Sequence, residues 1–247
     1  MHRFFVPSAL LQEKEVTLTG QLAHQLSHVL RLSRGEHIVL LDGSDCAYEA
    51  ELQEVAPHPA TARIVSKSVP RTEPRLRLIL YQALPRGKKM DWVLQKGTEL
   101  GVSAFVPVTT ERSIVQNPAR IGESRITRWQ RIVTEAAEQS GRVCLPQVMP
   151  VQRFVDVCQQ APKGALALIA STGVEVCPRS LRQALEVTPF PQEVWLFIGP
   201  EGGFALGEVQ SARQAGMIPV SLGPRTLRTE TAGLAAAAII FYAFGEL

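Results

Sequence analysis

The strongest constraint on the fold of this chain is a pattern that occurs twice near its end. A short apolar run reaches a Gly-Pro step, a polar loop follows, and a helix-like segment comes next. Residues 194–203 read VWLFIGPEGG, and residues 218–233 read IPVSLGPRTLRTETAG. Strand-loop-helix units present backbone donors and acceptors at the carboxyl ends of strands, where α/β proteins bind ligands. Two such loops, about 25 residues apart, predict one ligand held between neighbouring strands.

The rest of the second half carries the same alternation. Residues 76–83 (LRLILYQA) read as a buried strand, and 104–108, 164–171, 194–198 and 218–222 as further strands. Residues 90–100 predict a helix with Trp92, Val93, Lys96 and Leu100 near one face, stopped by Gly101. Residues 126–140 predict an amphipathic helix with Trp129, Ile132, Val133 and Ala136 on its apolar side, and 204–215 and 230–244 two more helices. Strands alternating with helices from about residue 74 predict a parallel-sheet α/β domain.

The first 70 or so residues differ. Residues 37–42, 46–55 and 60–65 read as strands, with a turn at Asp42-Gly43-Ser44, and 18–32 as a helix with Leu22, Leu26, Val29 and Leu30 on one face. This predicts a small barrel-like module with one helix. Residues 69–75 (VPRTEPR) have two prolines, mixed charge and no periodicity, as a linker does. The expected domains are residues 1–72 and 73–247.

Composition narrows the function classes. No apolar run reaches transmembrane length, and the apolar stretch at the N-terminus is short for a signal peptide. Cys46, Cys144, Cys158 and Cys177 lack metal-ligand spacing, and such scattered thiols fit a reducing cytoplasm. His24 and His28 share a helix face without a third ligand at plausible spacing, so no metal site is expected. The net charge of +3 is uneven: residues 1–72 hold 7 Lys/Arg against 8 Asp/Glu, the remainder 19 against 15. Arg75, Arg77, Arg86, Lys88 and Lys89 form one basic cluster, and Arg120, Arg125, Arg128, Arg131 and Arg142 another. Such clusters meet phosphates, or are solvated helix faces with i,i+4 pairs such as Arg131–Glu135.

Neither glycine loop is a known phosphate fingerprint. No Gly-Lys-Ser/Thr follows Gly199-Pro200-Glu201-Gly202-Gly203, and Pro200 lacks the N–H that a dinucleotide turn aims at pyrophosphate. The glycines still permit close backbone approach to a small molecule. The second loop packs Arg225, Thr226, Arg228, Thr229, Glu230 and Thr231 between strand and helix. Thr229 is placed to cap that helix, and the arginines are placed to meet a ligand or to pair with Glu201 or Glu230. Thr110-Glu111-Arg112-Ser113 follows a strand and can line a cleft.

In order and spacing, RGKKMDWVLQKGTELGVSAFVPVTTERS, RWQRIVTEAAEQSGRVCLPQV, LFIGPEGGF and LGPRTLRTETA resemble the bacterial 16S ribosomal RNA uridine N3-methyltransferase family. That family belongs to the trefoil-knotted, S-adenosylmethionine-dependent methyltransferases. HQLSHVLRLSRGEHIVLLDGS is similar to its RNA-binding module, so the resemblance spans nearly the whole chain. It implies a PUA-like β-barrel followed by an α/β domain with a knotted C-terminus, an exception to the rule of unknotted chains. It implies a cytoplasmic homodimer acting on 16S rRNA or the small ribosomal subunit. Cofactor contacts are expected at Ser171, Thr172, Gly199, Gly202, Leu222, Gly223 and Leu227, mostly through backbone atoms. Ala205 departs from the Ser or Thr often found after GPEGGF, which weakens that helix cap.

The implied chemistry needs alignment of a nucleophile with a methyl carbon, and loss of the uridine N3 proton. Arg225 and Arg228 are the candidates to stabilise the resulting anion. Glu230 or Glu201 either accepts the proton or orients an arginine. Arg86, Lys88, Lys89, Arg112 and Arg142 are expected on the RNA backbone, around a target base that must be unpaired to react. Two other readings stay open from the residues. One is a non-catalytic RNA-binding assembly factor, the other a small-molecule enzyme holding a nucleotide at the glycine loops.

Overall fold

The computed structural model describes residues 1–160, 164–171 and 178–247. The chain divides into two compact units: Met1–Glu73 with Ala137–Leu145, and Pro74–Ala136 with Pro146–Leu247.

The first unit is built on a mixed five-stranded sheet. Strands β1 (His2–Phe5), β2 (Glu15–Leu18), β3 (His37–Leu41), β4 (Ala47–Glu54) and β5 (Ala60–Ser68) lie in the order β1-β3-β4-β5-β2. The pair β1 and β3 is parallel and the other pairs are antiparallel. Alternating residues of β2 and β4 point inward, so Val16, Leu18, Ala50 and Leu52 join Phe4, Leu26, Ile38 and Leu40 in one core. Helix α1 (Gly20–His24) continues as a π-helical turn over Gln25–Val29, shorter than the predicted 18–32. Leu18 is taken by the β2–β5 ladder, where it lies opposite Ala60, and Thr19 is extended. Strands β1 and β2 went unpredicted because each spans only four residues, too few for a period to show.

The second unit is a parallel sheet with helices packed against it. Its strands are β6 (Arg77–Ala83), β7 (Ala104–Thr109), β8 (Gln147–Val148), β9 (Gln152–Arg153), β10 (Leu166–Ala170), β11 (Arg179–Ser180), β12 (Glu193–Ile198) and β13 (Ile218–Ser221). Their order is β11-β13-β10-β12-β6-β7-β8, with β9 also pairing with β7. Residues 78–83 of β6 and all of β7 are buried, as strands covered on both faces must be. The helices are α2 (Lys89–Leu100), α3 (Glu123–Ser140), α4 (Phe154–Cys158), α5 (Leu181–Glu186), α6 (Leu206–Gln214) and α7 (Thr229–Ala243). The short elements β8, β9, β11, α4 and α5 have too few residues for a period to show.

Helix α2 corrects one predicted face. Met90, Val93, Leu94, Gly97 and Thr98 are buried, whereas Trp92 is 52% exposed. The reason is Gly97: a Cβ there would lie 2.7 Å from the Phe105 ring of β7, so the helix meets the sheet through its smallest residue. Gly101 ends the helix as expected, with φ of 105° and its N–H on the Gly97 and Thr98 carbonyls. On one side of the sheet, Tyr81, Phe154, Phe197 and Phe204 form a contiguous aromatic cluster. Its ring centroids lie 4.3 Å apart for Tyr81–Phe197 and 4.9 Å apart for Phe154–Phe204. Phe204 thereby anchors the far end of the first glycine loop in the core. Among the described residues no helix is long and apolar enough to cross a membrane.

Candidate functional site

A cavity of about 570 Å³ opens at the carboxyl ends of β10, β12 and β13, a size that suits a small-molecule ligand. Strands β12 and β13 are not neighbours as predicted: β10 lies between them. The end of β10 therefore joins the two glycine loops, and Ala170 and Ser171 there line the wall. The Ser171 N–H donates to the Val220 carbonyl at 3.0 Å, tying the end of β10 to β13.

Of the expected cofactor contacts, Ser171, Gly199, Gly202, Leu222, Gly223 and Leu227 line this cavity. Thr172 lies outside the described residues. Arg225 and Arg228 line it as well, both exposed, and among the described residues neither forms an ion pair. Arg112, expected on RNA, also reaches the wall, where its Nη1 donates to the Gly202 carbonyl at 2.9 Å. Ile198, Phe204, Val209 and Val220 supply apolar surface that sequence reasoning missed. For Ile198 and Val220 the signal was position at a strand end, and for Phe204 the end of the glycine loop; Val209, inside α6, gave none.

Of the remaining candidates, Glu201 also lines the cavity, whereas Glu230, Arg86, Lys88, Lys89 and Arg142 do not. Glu230 pairs with Lys89, Oε2 to Nζ at 3.3 Å, and Glu201 Oε1 lies 3.1 Å from the same nitrogen. Lys89 thus holds both acids, which were expected to accept a proton or to pair with an arginine. Glu201 also accepts the Arg86 N–H at 3.1 Å. Burial raises the Glu201 pKa, but the Arg86 and Glu201 amides and Lys89 outweigh it and hold the carboxyl below its usual value. The Lys89 ammonium is raised, first by its hydrogen bond to Glu201 and then by Glu230. The Arg86 and Lys88 side chains are exposed. Arg142 is 5% exposed in the first unit, with Nη2 2.6 Å from Glu73 Oε2; the other Glu73 oxygen accepts the Val143 and Cys144 N–H groups. That guanidinium is committed to the half-buried Glu73 carboxylate.

The loop beginning at Gly199 is held by the first residue of α7. Thr229 is not the cap of α7; Arg228 occupies that position without a side-chain cap bond. Thr229 instead is 4% exposed, and its hydroxyl donates to the Gly199 carbonyl at 2.6 Å and accepts from Gln82 Nε2 at 2.8 Å. A Cβ at Gly199 would lie 3.2 Å from Gly203 and Phe204, so the loop folds tightly over that residue. At α6, Ala205 offers no side-chain cap, as expected. Glu208 compensates: its Oε2 accepts the Ala205 N–H at 2.8 Å and its Oε1 the Glu111 N–H at 2.9 Å.

A family model described as an RNA methyltransferase domain matches residues 72–241. The chain is 31% identical to ribosomal RNA small subunit methyltransferase E of Bacillus subtilis, covering 98% of this chain and 96% of that protein. It is 37% identical to the protein of the same name from Synechocystis, covering 97% and 77%. Among solved structures, the Neisseria gonorrhoeae ribosomal RNA small subunit methyltransferase E bound to S-adenosyl methionine aligns with a TM-score of 0.87 at 37% identity, covering 98% of this chain and 97% of that one. A Legionella pneumophila putative methyltransferase in complex with the same cofactor aligns at 0.86 and 30% identity, covering 98% of each chain.

Proposed function

This chain belongs to the RNA methyltransferase family, and we propose that it transfers a methyl group from S-adenosylmethionine to N3 of a uridine in 16S rRNA of the small ribosomal subunit. The observation that carries this reading is the cavity itself, where the end of β10, the two glycine loops and two arginines that form no ion pair among the described residues converge. The residues present fit the cofactor. Ile198, Val220, Leu222 and Leu227 offer apolar walls, and Gly199, Gly202 and Gly223 leave backbone accessible. Bound there, S-adenosylmethionine supplies an electrophilic methyl group on a sulfonium sulfur.

The protein's part is to hold the base, favour its anion and keep water out. Arg225 and Arg228 supply positive charge beside the cavity, which lowers the cost of passing the N3 proton to bulk water as the base enters, before water is excluded. Glu201 is a weak base, since its carboxyl is held below the usual range. Glu201 and Glu230 act together through Lys89, fixing the loop after β6 against the loop after β12 and the start of α7. The exposed Arg86 and Lys88, with Arg112, are the RNA contacts of this reading, and the first unit adds recognition of folded RNA. Arg142, committed to Glu73, is left out of that set.

The position of β12 between β6 and β10 supports a knotted C-terminus, and the five-stranded sheet of the first unit supports a PUA-like barrel. The exposed Trp92, Ile239 and Tyr242 support a homodimer formed through α2 and α7. Action on ribosomal RNA supports a cytoplasmic location.

The test is methyl transfer from labelled S-adenosylmethionine to small subunits lacking 3-methyluridine, with naked 16S RNA in parallel. Reverse-transcription stops map the product, because N3 methylation blocks pairing. Incorporation at one uridine is expected, and absence of any incorporation overturns the assignment. Arg225→Ala and Arg228→Ala are expected to lower turnover with cofactor affinity retained. Equal loss of cofactor affinity in both would remove them from the chemistry.

A further inference from the structure

The peptide joining Gly199 to Pro200 has one polar handle. Proline has no N–H, so only the Gly199 carbonyl can fix the plane of that peptide, and with it the entry to the loop that lines the cavity. That carbonyl accepts the Thr229 hydroxyl at 2.6 Å.

A hydroxyl has one proton to give. With its proton on Gly199, Thr229 must accept at its second contact, so Gln82 must present its Nε2 there, at 2.8 Å. The same Nε2 also donates to the Ala83 carbonyl at 3.0 Å. The relay therefore has a direction: Gln82 amide to Thr229 hydroxyl to Gly199 carbonyl. Three separate elements meet in it, since Gln82 sits on β6, Thr229 at the first turn of α7 and Gly199 just beyond β12.

This arrangement carries a cost. Gln82 is fully buried, and among the described residues its Oε1 has no hydrogen-bond partner. The space beside it is closed, because a Cβ on Gly233 of α7 would lie 3.1 Å from that oxygen. Buried amide oxygens are ordinarily paired, and an apolar side chain in a buried strand would avoid the penalty. What glutamine supplies there, and an apolar residue does not, is the donor.

We propose that Gln82 and Thr229 are positioning residues for the methyl donor: their directed hydrogen-bond relay sets the Gly199 carbonyl and so the shape of the cofactor loop. The inference rests on the cofactor reading given above and goes beyond it by assigning two residues that set the loop, Gln82 from behind the cavity wall and Thr229 from within it.

The test uses the full-length chain, with S-adenosylmethionine affinity measured by calorimetry and thermal unfolding measured without ligand. Gln82→Met keeps the volume, removes the donor and removes the orphan oxygen. It is expected to weaken cofactor binding about tenfold while leaving the melting temperature within about 2 °C of the wild type, or above it. Thr229→Val removes the hydroxyl and is expected to weaken binding by a similar factor, whereas Thr229→Ser keeps it and restores affinity to within about twofold. A merely structural role predicts the opposite split, with lower melting temperatures and unchanged affinity, and that result overturns the proposal. So does a Thr229→Ser variant as weak as Thr229→Val. A wild-type chain that does not bind S-adenosylmethionine overturns the cofactor reading itself and this inference with it, which separates the two failures.

Discussion

Glu208→Gln probes how the wall of the cavity is held, with almost no change in volume. Glu208 is 7% exposed, and its two oxygens accept the Ala205 N–H at 2.8 Å and the Glu111 N–H at 2.9 Å. One carboxylate thus joins the start of α6 to the loop bearing Arg112, which in turn donates to Gly202. A bond from a backbone amide to a charged acceptor contributes about 1.5–3 kcal/mol, and to a neutral one about 1 kcal/mol. Glutamine keeps one oxygen, so one bond weakens by about 1 kcal/mol and the other, now facing an NH₂ group, is lost at about 2 kcal/mol. Removing a buried charge returns about 1 kcal/mol of desolvation, which leaves a net loss of about 2 kcal/mol. For a protein of this size that corresponds to a melting temperature lower by about 4–8 °C. The three tryptophans, Trp92, Trp129 and Trp195, all lie in the second unit, so their fluorescence follows its unfolding in urea. Cofactor affinity is expected to fall in parallel, because Arg112 loses its fixed approach to Gly202. An unchanged urea midpoint for Glu208→Gln would refute the reasoning, as would Glu208→Ala being no worse.

Three further outcomes are expected. Lys89→Met should move the Glu201 titration midpoint upward in carboxyl NMR, since the ammonium helps hold it below the usual value. A depressed carboxyl contributes its stabilisation above the ordinary carboxylate pKa and loses it as pH falls through the depressed one, so the variant should lose the Lys89 part of that acid-range dependence and keep the part due to the Arg86 and Glu201 amides; an unmoved midpoint counts against the pairing. Cys158 and Cys144 have thiols pushed up to about 12, chiefly by burial, so alkylation followed by mass spectrometry at pH 8 should leave both largely unmodified until the chain is denatured. Modification at the unfolded rate would contradict their burial. Ala205→Ser should raise stability by about 1 kcal/mol by supplying the missing cap to α6, read as a higher urea midpoint; no gain would mean that Glu208 already satisfies that helix end.

What the sequence determined by itself was local. Continuous apolar runs specified β6, β7, β10, β12 and β13, because an internal parallel strand needs apolar residues on both faces. Gly101 specified the end of α2, because the left-handed conformation there suits a residue without a Cβ. The Gly-Pro steps marked the loops that carry Gly199, Leu222, Gly223, Arg225 and Arg228 to one cavity. Tertiary structure decided whatever depends on partners distant in the chain. Strand order put β10 between the two glycine loops and brought Ser171 into the wall. Lys89 came to lie between Glu201 and Glu230, more than 100 positions away, and Arg142 was turned onto Glu73 rather than left on a basic face. The face of α2 followed from the fit of Gly97 against Phe105, not from its average hydrophobicity. Gln82 reads in sequence as one polar residue in a buried strand. Its task emerges only where β6, α7 and the end of β12 converge, since a hydrogen-bond relay is a property of three elements and no single segment encodes it.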